Sequence, residues 1–287
     1  MVMLGPNQYG KAEVRLLRVN RSSSSHELRD LSVSVALSGA LTATHLAGDN
    51  SAVLTTDAQK NTVFAFAADA FDGRGAAEIE DFALLLAEHF VTSQEVISAA
   101  RVSIEEYAWE RLGDHSFARS GREVRTTTVT YDGQQPLVVS GLKDLVLLNS
   151  AGSEFWGFAK DRYTTLAETT DRILATAVNA QWRYDRETQW AESYATARDL
   201  LMSAFAQTHS YSLQQTLYAM GKQVIEGVPD IAEISLSLPN KHHFEVDMSP
   251  FGLENNGEVF YASDRPYGLI QGTVLRDGAE PLLRGWA

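Results

Sequence analysis

The order of elements along the chain, run through twice, limits the fold more than any other feature of the sequence. In the first half, residues 12–20 and 31–43 are rich in Val and Leu and read as strands, joined by a serine-rich turn at 22–25. Thr55-Thr56-Asp57 then reads as a helix start, because a hydroxyl or carboxylate there accepts from backbone N–H groups that a first turn leaves unpaired. From that start a helix is expected to about residue 70, despite the β-prone Thr62, Val63 and Phe64, broken by Gly73 and Gly75, and the spacing predicts a second over 77–91 with Ile79, Phe82, Leu86 and Phe90 on one face. Ala100, Val102 and Ile104 alternate with Arg101, Ser103 and Glu105, the period of a half-buried strand, and 126–131 reads as its hairpin partner.

The second half repeats the order. Residues 142–149 and 173–184 read as strands. One helix from about residue 188 carries Trp190, Tyr194, Ala197, Leu201 and Phe205, and the next carries Leu213, Leu217, Met220 and Val224. Ala232, Ile234, Leu236 and Leu238 alternate with Glu233, Ser235 and Ser237, and further strand follows to about residue 275. The turn-rich stretch Asp132-Gly133-Gln134-Gln135-Pro136 separates the halves, giving expected domains 1–136 and 137–287. Hairpins separated by a helix pair favour an α+β fold, an antiparallel sheet with helices on one face. Its open edges need covering. Two such sheets could pair edge to edge, and copies of the chain could close a barrel.

A chain of 287 residues suits about two domains of roughly 150 residues each. The formal charge of −13 repels phosphate backbones, so no nucleic-acid partner is expected. With no cysteine, disulfides, thiolate metal sites, iron–sulfur clusters and a thiol nucleophile are excluded. No apolar run is long enough for a bilayer, so no membrane partner is expected. Residues 1–11 lack a greasy leader segment, and the final Leu-Arg-Gly-Trp-Ala is not a peroxisomal address. The expectation is a soluble, cytoplasmic protein.

General enzyme motifs are absent: no phosphate-binding loop, no nucleophile elbow, and no third glycine after Gly73 and Gly75. None of the seven histidines forms an H-x-x-x-H pair, and the adjacent His242 and His243 face opposite sides of an apparent strand. No metal site is expected. Three segments break apolar patterns with polar or aromatic groups. At Leu238-Pro239-Asn240-Lys241-His242-His243-Phe244 the proline ends a clean strand, and taken alone the segment reads as a solvated turn. Phe155-Trp156-Gly157-Phe158, leading to Asp171-Arg172, reads alone as an aromatic core cluster, and Thr55-Thr56-Asp57 as a plain helix cap.

Together these segments resemble one family, the urate oxidases or uricases, over nearly the whole chain. The likeness runs through Tyr9-Gly10-Lys11 with Val14-Arg15, Thr55-Thr56-Asp57-Ala58-Gln59-Lys60-Asn61-Thr62, and Phe155-Trp156-Gly157-Phe158 with Asp161 and Tyr163-Thr164-Thr165-Leu166. It continues through Asp171-Arg172-Ile173-Leu174-Ala175-Thr176, Ser237-Leu238-Pro239-Asn240-Lys241-His242 and Tyr267-Gly268-Leu269-Ile270. His243 and the run Asp264-Arg265-Pro266-Tyr267-Gly268 are more similar to bacterial than to fungal or animal members. The resemblance implies two tandem tunnelling-fold (T-fold) domains per chain and a homotetrameric barrel. It implies oxidation of urate by molecular oxygen to 5-hydroxyisourate and hydrogen peroxide, with no metal and no organic cofactor.

By the same resemblance Arg172 grips the urate edge with its planar fork, Gln214 and the backbone N–H of Leu213 hold it elsewhere, Phe155 stacks on the purine and Ile270 walls the pocket. Asn240 lies above the purine plane, where oxygen and then water bind. Thr56 and Asp57 come from the neighbouring subunit, and Lys11, Thr56 and His242 form a proton relay. Two other readings are another T-fold enzyme acting on a pterin or guanine nucleotide, and a non-catalytic purine-binding relative. The first calls for a metal cluster or a distinct Glu anchor, and the second for loss of Lys11, Thr56, Asn240 or His242.

Overall fold

The structure, a computed structural model, describes residues 2–71 and 76–282. Gly73 and Gly75, read above as a helix stop, and the terminal Leu-Arg-Gly-Trp-Ala lie outside the described residues. The chain divides into two compact α+β units, 1–141 and 142–287.

In the first unit, strands β1 (Tyr9–Asn20) and β2 (Glu27–Gly39) form a hairpin, followed by helices α1 (Thr42–Ala47), α2 (Thr56–Ala70) and α3 (Ile79–Ser93). Strand β3 (Ile97–Tyr107), a small ribbon of β4 (Trp109–Arg111) and β5 (Phe117–Arg119), and β6 (Val124–Tyr131) complete it. The main sheet is antiparallel, with β2 between β1 and β3 and β6 on the far side of β3. Val33, Val35 and Leu37 of β2 oppose the alternate residues Ile104, Val102 and Ala100 of β3, and with the buried Leu31 they make one face largely apolar. On it lies α3, burying the Ile79, Phe82, Leu86 and Phe90 stripe expected from its spacing. The start of α3 is fixed by a buried ion pair: Arg125 of β6 donates to Glu80 at 2.7 Å and also to Glu78. Burial pushes the Glu80 carboxyl pKa up, and the arginine opposes that.

Strand β7 (Leu137–Asn149) carries the chain into the second unit, where β8 (Leu174–Tyr184), α4 (Trp190–Gln207), α5 (Leu213–Gly227), β9 (Ile231–Glu245) and β10 (Phe260–Leu275) follow. Here β9 pairs antiparallel with both β8 and β10. Leu174, Val178, Ala180 and Trp182 of β8 share a face with Ile234, Leu236 and Leu238 of β9, all of them buried. Helix α5 lies along β10: a Cβ on Gly221 would meet Val274 at 2.6 Å, and one on Gly272 would meet Leu217 at 3.0 Å.

Several expectations need correcting. Residues 42–43, read as strand, open α1, because the chain turns at Gly39–Ala40, where the Ala40 N–H donates to Val96 O, and Leu41 is buried as an anchor. Strands β1, β2 and β7 begin at Tyr9, Glu27 and Leu137, ahead of the starts expected at residues 12, 31 and 142. Pro239 does not end β9, which runs on to Glu245. The β8–β9 register passes from Asn179↔Ser237 to Thr176↔Asn240 without a pair at Pro239, so that position needs no N–H. The β4–β5 ribbon had no expectation at all.

Candidate active site

Two clusters contain the expected site residues, one in each unit. In the first, Lys11 sits on β1 opposite Val35, and Val14 opposite Val33. Residues three apart on a regular strand face opposite sides. A register shift between Lys11 and Val14 removes that offset, so both side chains share the helix-covered face. The bulge is made at Glu13, whose φ of 55° lies in the left-handed region and whose N–H donates to Ser34 Oγ at 3.0 Å. Gly10, just before Lys11, crosses β2 so closely that a Cβ would lie 1.8 Å from Val35 O.

The lysine is thereby turned toward the start of α2, the helix that packs on β1. Thr55 caps that helix by accepting from the Ala58 N–H at 3.1 Å, leaving Thr56 and Asp57 exposed in the first turn. Asp57 accepts from Lys60 at 2.7 Å and Asn61 at 3.0 Å. The Lys60 bond, with a smaller contribution from the Lys11 charge, holds its carboxyl below the usual range. The approach to the cap is clamped at Leu54 O, which accepts from Tyr9 Oη at 3.0 Å and from the buried Gln59 Nε2 at 3.2 Å.

In the second unit the aromatic segment is not core. Phe155 and Phe158 stack at 4.9 Å, both half-buried, and Trp156 is exposed. Arg172 lies over the Phe155 ring, its Cζ 5.0 Å from the centroid, and donates from Nε to Ser153 Oγ at 3.3 Å. It is half-buried, and among the described residues no carboxylate pairs with it. Burial alone lowers its pKa. The loop is stitched to the segment before α5: Glu154 N donates to Ser210 O at 2.7 Å, Ser210 N to Gly152 O at 3.0 Å, and Thr216 Oγ1 to Ser210 Oγ at 2.8 Å. Ser212 caps α5 through the Gln215 N–H, so Leu213 and the exposed Gln214 form its first turn, where backbone N–H groups are unpaired.

Asn240 and His242 alternate on β9 and so share the helix-covered face. Asn240 pairs with Thr176 on one side and Gly268 on the other, and Ile270 opposes Leu238 one step along. Since α5 rises along β10 with Leu217 at Gly272, one turn back brings Leu213 level with Ile270. His242 stacks on Phe244 at 5.7 Å. Burial, then the charges of Arg172 and His243, hold its pKa below the ordinary histidine value. A flat anion entering here meets a cation, an aromatic face, helix N–H donors and an imidazole.

Of the supporting side chains, Tyr9 and Gln59 entered the sequence reading only as part of the resemblance, and Ser153, Ser210 and Thr216 had no role in it. Gln59 left a signal: it stands on the buried stripe of α2 with Val63, Ala67 and Ala70. Among the described residues no group of three or more His, Asp or Glu side chains is placed to hold a metal, and no helix is long and apolar enough to cross a membrane.

A family model described as Uricase matches residues 7–130 and again 138–271. The uricase of Arthrobacter globiformis is 52% identical over 281 residues, 97% of this chain and 91% of the relative. That of Dictyostelium discoideum is 39% identical, over 96% of this chain and 98% of its own. Among solved structures, a crystal structure of A. globiformis uricase superposes with a TM-score of 0.94 at 51% identity, covering 98% of this chain and 97% of that one. A uricase from Bacillus fastidious superposes with a TM-score of 0.79 at 26% identity, covering 94% and 93%.

Proposed function

The chain belongs to the uricase family and is an enzyme that oxidises urate, and from that premise we propose that the two residue clusters described above are complementary halves of one pocket, joined between copies in a homotetramer. The observation that carries the reading is the half-buried Arg172, which lies over the Phe155 ring and has no carboxylate partner among the described residues. The guanidinium fork suits the carbonyl and ring nitrogen of a purine edge. Gln214 offers both a donor and an acceptor, Leu213 its backbone N–H, Phe155 a stacking face and Ile270 a wall. The first turn of α2, bearing Thr56 and Asp57, comes from a neighbouring copy and presents unpaired N–H groups to an anion.

In this reading urate gives up two electrons and molecular oxygen takes them up. Oxygen leaves as hydrogen peroxide and water adds to the ring, giving 5-hydroxyisourate. Asn240 holds first oxygen and then water above the ring. Lys11, Thr56 and His242 pass the protons, and burial, which lowers the His242 pKa, favours its proton-accepting form. The substrate supplies the electrons, so the chain needs no metal or organic cofactor, and we place its work in the cytoplasm. The test mixes exhaustively chelated protein with urate and follows near-ultraviolet absorbance, oxygen uptake and peroxide together. Equal consumption of urate and oxygen with equal release of peroxide supports the reading. Activity that vanishes on chelation and returns with one added metal overturns the cofactor-free part.

A further inference from the structure

The geometry points to Thr176 as a positioning residue for Asn240, an inference that rests on the site reading above. Thr176 is fully buried, and its Oγ1 has no hydrogen-bond partner among the described residues. A buried hydroxyl left unpaired is costly, and sites that retain one call for an explanation. Its place supplies one. Thr176 is the direct cross-strand partner of Asn240. Opposed residues of an antiparallel pair project from the same face with Cβ atoms about 4.5–5.5 Å apart, within reach of side-chain hydrogen bonding. On the other flank Asn240 faces Gly268, which offers no side chain. The Thr176 hydroxyl is therefore the polar side-chain group next to the Asn240 carboxamide within its own row of the sheet.

A carboxamide presents oxygen at one end and NH2 at the other, in nearly the same shape. To hold oxygen, peroxide or water in a defined way, it must show the reacting molecules one particular end. The Thr176 hydroxyl closes onto the Asn240 Oδ1 when the pocket is occupied and turns the NH2 end toward the reacting atoms. Because Oγ1 is buried, Thr176 acts through Asn240 and does not touch the substrate.

The experiment compares Thr176→Val, which keeps the shape and removes the hydroxyl, with Thr176→Ser, which keeps the hydroxyl, in wild-type and Asn240→Ala backgrounds. Thr176→Val should lower kcat about three- to tenfold, the span of one neutral hydrogen bond, with little change in KM. Thr176→Ser should retain most of the rate. The melting temperature of Thr176→Val should not fall, since an unpaired buried hydroxyl has been removed. In the Asn240→Ala background Thr176→Val should change the residual rate hardly at all. Wild-type kcat in Thr176→Val, or an undiminished loss in the Asn240→Ala background, overturns the proposal while leaving the site reading intact. Full activity of Asn240→Ala alone removes the site reading, and the Thr176 proposal with it.

Discussion

Arg172 is half-buried with no carboxylate pairing it among the described residues, and in the proposed reading it is held ready for an anion from outside the chain. Arg172→Ala should weaken urate binding by about 2–5 kcal/mol, toward the lower end because the group is only partly desolvated. Arg172→Lys should not restore it, since a point ammonium cannot make a forked contact. Near-normal affinity in the lysine variant, measured as KM or by titration, removes the assigned role. The same cation acts on His242, whose pKa lies below the ordinary value through burial first and the Arg172 and His243 charges second. A depressed folded pKa means that the unfolded chain takes up the proton first as pH falls. The stabilising contribution is thus complete above the unfolded value of about 6.5, drains away below it, and levels off once the folded histidine is also charged. Melting temperature followed from pH 8 to pH 4 (about the span over which histidine titrates) should show a smaller acid loss in His242→Gln than in wild type. The acid fall of kcat/KM should likewise begin below the usual histidine range. An identical pH dependence of melting in the two proteins would exclude His242 as its source.

Between residue and unit stands the bulge that aims Lys11. Glu13, at φ 55°, pays for this turn with strain of about 1–3 kcal/mol. Glu13→Gly should accept the same backbone without strain and raise stability by about 1 kcal/mol with activity kept. Glu13→Val should lower stability and activity together, by driving the strand toward regular alternation and turning Lys11 away. Activity unchanged in the valine variant would mean that the bulge does not aim the lysine. The second unit repeats the device: Asp144 has φ 63°, and its N–H donates to Asn179 Oδ1 at 3.1 Å. Two places before it, where the first unit has Lys11, stands Leu142. Asp144→Gly therefore serves as the control that changes stability without touching the relay. These details mark the limit of what the sequence made legible. Apolar spacing was enough for the long helices and for the alternating parts of β3 and β9, because burial writes periodicity directly. Lys11, Asn240 and His242 entered as expected site residues through family resemblance, while the segment from Leu238 to Phe244 taken alone read as a solvated turn and not as the strand it is. A left-handed glutamate, a proline seated where one ladder skips a pair, and a threonine facing an asparagine are consequences of register. Register joins residues far apart in the chain and leaves no local pattern.

At the scale of the whole molecule the repeat has become a division of labour. One family model matches the chain twice, over 7–130 and 138–271, yet each unit carries different chemistry. The first has Lys11, Thr56 and Asp57, and the second has Phe155, Arg172, Gln214, Asn240 and His242. Leu142 stands at the place matching Lys11, so in the proposed reading the relay lysine has no counterpart in the second unit. If pockets form where the first unit of one copy meets the second unit of another, lesions in the two halves should complement. Thr56→Ala and Arg172→Ala, each inactive alone, should regain urate oxidation when co-assembled. Some junctions would then join an intact Thr56 to an intact Arg172, while others gather both lesions. Differently tagged variants can be co-expressed, and hybrids carrying both tags isolated and assayed. Activity should follow the fraction of junctions with both halves intact, while the same variants purified apart and mixed cold should stay inactive until subunits exchange. Hybrids proven by both tags, but no more active than the sum of the parents, would mean that Thr56 and Arg172 serve a site from the same chain, and the shared pocket would have to be abandoned.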